Sequence, residues 1–280
     1  MNIFLRRTLT GAWIVLIVLG GFWLHPVSFI LTGLILLIGT QLEYYTMIKN
    51  TGVKPQWIAG MAAGTSVYIV STLIASGLLP FYSFLVLIPI LIIITIAELY
   101  RKLDKPFDSL AHTFFAIFYT ALPFSMFPFA AFSKSGMDTI LPHEGILFSP
   151  GIIIGFFILL WAHDTGAYIT GTSLGRHKLM PRISPGKTWE GCIGGFLASV
   201  VIAWLFADWF GVISTIQWII VSVIISIAGT YGDLVESMLK RSMDVKDSGT
   251  ALPGHGGFLD RFDSTILSFP LVYLFITVFG

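Results

Sequence analysis

The sequence predicts an all-α, polytopic integral membrane protein, a bundle of about nine transmembrane helices, and three observations carry that expectation. First, 55% of the 280 residues are hydrophobic and only 11% are charged, with a mean hydropathy of +0.86. A water-facing surface needs roughly a quarter of its residues charged, so a soluble, secreted or disordered chain is excluded. Second, the apolar runs are continuous and close to the roughly 20 residues that a helix needs to cross a hydrocarbon core. A β-barrel would instead alternate over segments of about 10 residues. Third, 28 glycines and 24 phenylalanines suit helices packed against one another and against lipid. The single cysteine, Cys192, permits no internal disulfide. A net charge of +1 excludes nucleic-acid binding through a broadly basic surface.

Taken in order, the runs lie near residues 9 to 24, 27 to 46, 57 to 76, 81 to 99, 110 to 131, 150 to 170, 192 to 209, 214 to 232 and 264 to 279. Arg6 and Arg7 precede the first run as in a signal peptide, but no small-residue cleavage site follows, so it is expected to remain as a span. His25-Pro26, Leu79-Pro80 and Ser149-Pro150 punctuate proposed boundaries. Basic residues set the orientation. With the N-terminus cytoplasmic, the inside segments hold Arg6 and Arg7, Lys49 and Lys54, Arg101, Lys102 and Lys105, Arg176, Lys178, Arg182 and Lys187, then Lys240, Arg241, Lys246 and Arg261. Of the 16 basic residues only Lys134 falls outside, and the C-terminus is expected to be external. The chain divides into an N-terminal transmembrane scaffold, 1–131, and a C-terminal catalytic part, 132–280, with cytoplasmic loops 171–191 and 233–263. No fixed-period repeat or soluble domain interrupts it.

The charges concentrate in that second part. If the eighth span continues as a helix, Asp233, Glu236, Ser237 and Lys240 share one face at i, i+3, i+4 and i+7. A carboxylate at the mouth of a membrane helix is costly to leave unpaired. The same pattern also suits an ordinary snorkelling, salt-bridged helix end. Downstream, glycines at 254, 256 and 257 free the backbone to bring N–H groups close to an anion. Mg²⁺ prefers oxygen and is usually held by one or two carboxylates plus substrate phosphates. Asp233 and Asp260 are placed to hold such an ion, with Lys246, Arg241 and Arg261 neutralising phosphate oxygens. Alternatively the glycines make a flexible turn and Asp263 caps the ninth span; Asp263 suits both roles.

Two further segments carry candidates. In Ser184-Pro185-Gly186-Lys187-Thr188-Trp189-Glu190-Gly191 the Gly-Lys-Thr invites a P-loop reading, but Pro181 stands where that motif needs glycine and no strand is expected before it. Lys187 is still able to reach a phosphate, and Trp189 suits either base stacking or interface anchoring. In the sixth span Asp164, Tyr168 and Gly171 share a face, and Asp164 lies deep enough to need a polar partner, whether in a site or in helix packing. The histidines show no HxxxH or HxxE pairing, which disfavours zinc, and no Gly-x-Ser-x-Gly marks a serine hydrolase.

From Ser237 through Asp263 the run S-M-L-K-R-S-M-D-V-K-D-S-G-T-A-L-P-G-H-G-G-F-L-D-R-F-D resembles the signature of the CDP-diacylglycerol synthases, also called phosphatidate cytidylyltransferases. The similarity extends to Asp164-Thr165-Gly166-Ala167-Tyr168, to the Ser184–Gly191 loop and to Gly232-Asp233, so it covers roughly residues 160 to 265. It implies a membrane enzyme of the bacterial inner membrane that condenses CTP with phosphatidic acid, giving CDP-diacylglycerol and pyrophosphate. It further implies Mg²⁺, with a monovalent cation left open, a homodimer in the lipid bilayer, a site facing the cytoplasm, and no nucleic-acid partner. By position, Asp233 and Asp260 would be the metal carboxylates. Asp164, Lys187, Lys240, Arg241, Lys246, Asp247, His255, Arg261 and Asp263 would complete the catalytic set, and Ser184, Lys187, Lys246, Gly254, Gly256 and Gly257 would bind substrate. The rival readings are a cation-coupled transporter with Asp164 and Asp233 as ion ligands, and a CTP-dependent lipid kinase. A CDP-alcohol phosphotransferase would need an Asp-Gly-x-x-Ala-Arg run, which does not occur.

Overall fold

The computed structural model describes residues 3–134, 146–249, 251 and 256–280. Its helices follow the hydropathic runs: α1 (Ile3–Leu24), α2 (Pro26–Asn50), α3 (Trp57–Ala75), α4 (Leu87–Tyr100) after a 3₁₀ stretch at Phe81–Val86, then α5 (Pro106–Ala116), α6 (Leu122–Ser125) and α7 (Phe127–Ala131) in series. After the short strands β1 (Phe132–Lys134) and β2 (Ile146–Phe148) come α8 (Gly151–Leu174), the hairpin β3 (Lys178–Met180) and β4 (Ser184–Thr188), α9 (Trp189–Phe210), α10 (Thr215–Ser242) and α11 (Leu259–Phe279). Among the described residues eight helical segments are long and apolar enough to cross a membrane; the expected first span falls on α1, whose described apolar stretch, Trp13–Leu24, is shorter and is not one of the eight. The helical membrane class is thereby borne out.

Two compact units emerge, one from the residues up to Pro150 together with Asp247–Leu259, the other from Gly151–Lys246 with Asp260–Gly280. In the first, α2 and α3 approach closely because Gly33 faces Tyr68, Gly60 faces Tyr45 and Gly64 faces Gln41; a methyl at any of the three would come within 3.0 Å of the opposing side chain. Small residues at such contacts are how membrane helices gain packing without a hydrophobic driving force between them. The Tyr45 hydroxyl donates to the Thr113 carbonyl at 2.9 Å. At one end Arg101 donates to Glu98 Oε2 at 3.0 Å, Ser109 Oγ at 2.9 Å and the Lys54 carbonyl at 2.9 Å, which ties the connecting turns together. The fifth span is broken rather than straight. Pro123 and Pro128 cannot donate to the helical ladder, and the chain passes through a π-helical turn at Ile117–Ala121 into α6 and α7.

In the second unit α8 and α9 run antiparallel along a glycine seam. Gly166 meets Ala198 and the Gly194 carbonyl, Gly194 meets Thr170, and Gly191 meets the Ala167 carbonyl, all at distances a Cβ would close to 3.0 Å or less. Helix α10 starts with a capping box between Ser214 and Gln217, and Gln217 Nε2 also donates to the Phe279 carbonyl at 2.6 Å. At its other end Gly232 packs on the backbone of Asp263 and Ser264. α10 and α11 therefore form an antiparallel pair.

Two boundaries correct the sequence reading. Helix α10 continues to Ser242 rather than stopping near 232, and α11 begins at Leu259 rather than 264. With 28 residues α10 is about 42 Å long, so it overhangs a hydrocarbon core of about 30 Å. The segment 233–263, expected as a loop, is helical at both ends, and 171–191 holds the end of α8, the β3–β4 hairpin and the start of α9.

Candidate active site

The polar C-terminal turns of α10 present Asp233, Glu236, Ser237 and Lys240 on one face, as their spacing requires. Ser237 Oγ donates to Asp233 Oδ1 at 3.2 Å. Because Gly232 has no side chain, α11 comes close enough to add Asp260 and Asp263. Carboxylate oxygens of Asp233, Glu236 and Asp263 all lie within 4.8 Å of one another. Lys240 Nζ bridges Glu236 Oε2 at 2.6 Å and Asp260 Oδ1 at 2.7 Å. From the β3–β4 hairpin, Lys187 Nζ reaches Asp233 Oδ2 at 2.8 Å and the Thr230 carbonyl at 3.2 Å. Thr230 Oγ1 in turn contacts His163 Nε2 at 3.2 Å. Asp164 joins the same group through its electrostatic interactions with Asp233, Lys187 and Arg261.

Five carboxylates, Asp164, Asp233, Glu236, Asp260 and Asp263, thus share a site with three cations, Lys187, Lys240 and Arg261. Counted as formal charges among the described residues, the excess is two negatives. Glu236 is fully buried and Asp263 is 8% exposed. Glu236 Oε1 has no hydrogen-bond partner among the described residues. Buried carboxylates of this kind need a proton or a cation as compensation, and a divalent cation would match the formal excess. The three clustered groups offer oxygen alone, with no histidine or cysteine, which suits a hard ion such as Mg²⁺. A point central to three oxygens no more than 4.8 Å apart lies at most about 2.8 Å from each, so a small contraction meets the roughly 2.1 Å that Mg²⁺ prefers. The residues present fit the ion.

The sequence reading paired Asp233 with Asp260. In the structure Asp233 clusters with Glu236 and Asp263, while Asp260 is bound by Lys240. Asp263 lies inside α11 and is not its cap; its Oδ1 accepts from the Ser264 amide at 2.6 Å. Arg241 is exposed and donates to the Val245 carbonyl at 3.3 Å, and Lys246 and Asp247 are exposed on the connecting segment. Gly256 adopts a φ of 82°, where only glycine is unstrained, and Gly257 is buried. Gly254 and His255 lie outside the described residues. Ser184 pairs with Met180 across the hairpin, and Gly186 stands in open space. The Gly-Lys-Thr run lies on β4, with Thr188 as the N-cap of α9, so the rejection of a P-loop agrees with the local geometry.

Three participants were not assigned from sequence. Glu236 was on the right face and three residues from Asp233, a spacing that was itself the signal. Thr230 lies one turn before Asp233 on the same helix. Glu190 accepts from the Arg176 amide at 3.1 Å, from the His177 amide and from His177 Nδ1 at 2.6 Å, and so closes the base of the hairpin that carries Lys187. Nothing in the local sequence announced that pairing.

A sequence profile of the cytidylyltransferase family matches residues 5–279. The chain belongs to that family. This cytidylyltransferase-family chain is similar to the phosphatidate cytidylyltransferase of Bacillus subtilis (strain 168), 47% identical over 124 residues, which are 44% of this chain and 46% of that protein. It is also similar to the phosphatidate cytidylyltransferases of Staphylococcus aureus (strain COL), 41% identical, and Staphylococcus haemolyticus (strain JCSC1435), 42% identical. Both matches run over 176 residues, 60% of this chain and 67% of the relative. The matched stretch thus spans under half of the first relative and two thirds of the others. The resemblance noted in Ser237–Asp263 is borne out. That run comprises the last turns of α10, the segment that follows, and the first turn of α11.

Proposed function

We propose that the chain is a phosphatidate cytidylyltransferase, which joins CTP to phosphatidic acid and releases pyrophosphate. The observation that carries the reading is the cluster of Asp233, Glu236 and Asp263, flanked by Lys187 and Lys240, within the family's signature region. Asp233, Glu236 and Asp263 would hold Mg²⁺, whose contribution when bound is to neutralise charge on the CTP phosphates. A phosphate oxygen of phosphatidate forms a bond to the α-phosphorus of CTP as the bond to pyrophosphate breaks. The attacking phosphate is already anionic, so alignment and charge neutralisation matter more than a strong base. Lys187, partly exposed at the hairpin and held at Asp233, and Arg261, exposed on α11, are the cations placed to meet incoming phosphates. Lys240 keeps Glu236 and Asp260 in place.

The substrates suit this placement. Acyl chains stay in lipid while CTP arrives from water, and the acidic group stands on the polar C-terminal turns of α10, beyond its apolar run. Positive-inside bias supports a cytoplasmic placement of that end, and we extend the proposal to a homodimer in a bacterial inner membrane. A cation-coupled transporter would want its carboxylates near the midplane and mirrored in the two halves, whereas these crowd one helix end.

The test is direct. Purified protein with Mg²⁺ and labelled CTP should form a labelled lipid and equimolar pyrophosphate only when phosphatidic acid is present, and EDTA should stop it. Transfer of the γ-phosphate to lipid with release of CDP would make it a kinase.

A further inference from the structure

Glu43 lies near the C-terminal end of the second apolar run, in the half of the chain that otherwise reads as scaffold. Its side chain is buried, the residue being 8% exposed on α2. A carboxylate so enclosed in a membrane helix is costly unless donors meet it. The donors come from the far end of the sequence. Ser248 Oγ donates to Glu43 Oε2 at 3.0 Å, and the Leu259 amide donates to the same oxygen at 2.9 Å. Gly249 and Gly257 lie against the carboxylate so closely that a methyl on either would come within 3.0 Å of it. One turn earlier on α2, Gly39 receives the Phe258 ring in the same way.

We infer that Glu43 is a positioning residue that clamps both ends of the glycine-rich segment between Ser248 and Leu259 and thereby sets the start of α11. The Leu259 amide belongs to the first turn of that helix and has no acceptor within it. A carboxylate there fills the vacancy and opposes the positive end of the helix dipole. Asp260 follows immediately in sequence and Asp263 one turn later, so where α11 begins decides where both carboxylates point. Glu43 itself touches no reacting group.

The functional part of this inference rests on the cytidylyltransferase reading; its structural part does not. The experiment separates them. Amide hydrogen exchange followed by mass spectrometry on the intact protein in detergent, without substrate, should show slow exchange at Leu259 in wild type. Glu43→Gln keeps an amide oxygen able to accept both bonds and should stay slow. Glu43→Ala and Glu43→Leu should speed exchange across 246–262 by about tenfold or more while peptides of α8 to α10 are unchanged. In the labelled-CTP assay the Ala and Leu variants should lose about tenfold or more in kcat, with Glu43→Gln within roughly threefold of wild type. Should Glu43→Ala not yield folded protein, Ser248→Ala is read in its place, with faster exchange expected over 246–250. Unchanged exchange in these variants overturns the clamp, as does a Glu43→Gln protein that exchanges as fast as Glu43→Ala. Absence of activity in every protein, wild type included, with the exchange pattern as expected would sink the enzymatic reading and leave the clamp standing.

Discussion

Deleting the cation at Lys240 should be the most damaging single change to the acidic cluster. Its Nζ lies 2.6 Å from Glu236 Oε2 and 2.7 Å from Asp260 Oδ1, and the three side chains are 13%, 0% and 8% exposed. At an effective dielectric near 20, each contact represents roughly 6 kcal/mol of gross attraction. Most of that is offset by the cost of removing the charges from water. What a mutation exposes is the remainder plus the stranded partners, about 3–5 kcal/mol when one member of a buried pair is removed. Lys240→Met, which keeps an unbranched chain of similar reach, should therefore lower unfolding stability by about 4 kcal/mol. The assay is denaturant or SDS titration in mixed micelles at low salt with EDTA present. Adding Asp260→Asn to the same chain removes one stranded charge and should recover about half of the loss. Mg²⁺ should narrow the gap further, because a divalent ion takes over the missing countercharge. A loss under about 1 kcal/mol, the range of an exposed pair, or a double variant no better than Lys240→Met, would refute this account of the site.

Asp233→Asn, Glu236→Gln and Asp263→Asn should each cost on the order of 10² or more in turnover, with losses that fail to add in pairs. Asp260→Asn should leave the Mg²⁺ concentration for half activity within roughly threefold of wild type; a large rise there would move Asp260 onto the ion. Glu190→Gln loosens the base of the hairpin and should raise KM for CTP about tenfold with the fold intact, and an unchanged KM would separate the hairpin from the site. Reporter fusions after Gly280 should read as external, and a cytoplasmic signal would defeat the assigned topology.

The spans were legible because an apolar run of membrane length permits little except a helix. Their ends were not. The apolar run of α10 stops at Gly232, but its helix does not, because charges spaced i, i+3 and i+4 continue it into water as readily as leucines do in lipid. Asp233 and Glu236 were neighbours by spacing alone. The approach of Asp263 depends on Gly232 letting two backbones meet, and the reach of Lys187 depends on a hairpin closed by Glu190; both are tertiary facts with no local periodicity. Glu43 was hidden for a different reason, since one acid among apolar neighbours in the 26–50 stretch barely changes its hydropathy.

That clamp also has a consequence for biosynthesis. The two donors to Glu43 lie 205 and 216 residues further along the chain. At translation rates of 5–20 residues per second, α2 waits about 10 to 40 s before they emerge. Throughout that interval the newly inserted helix holds an acid that water or a proton must satisfy. A nascent chain that stops before Ser248 lacks both donors, so the environment of a residue made early is completed only by the last part of the chain to be made.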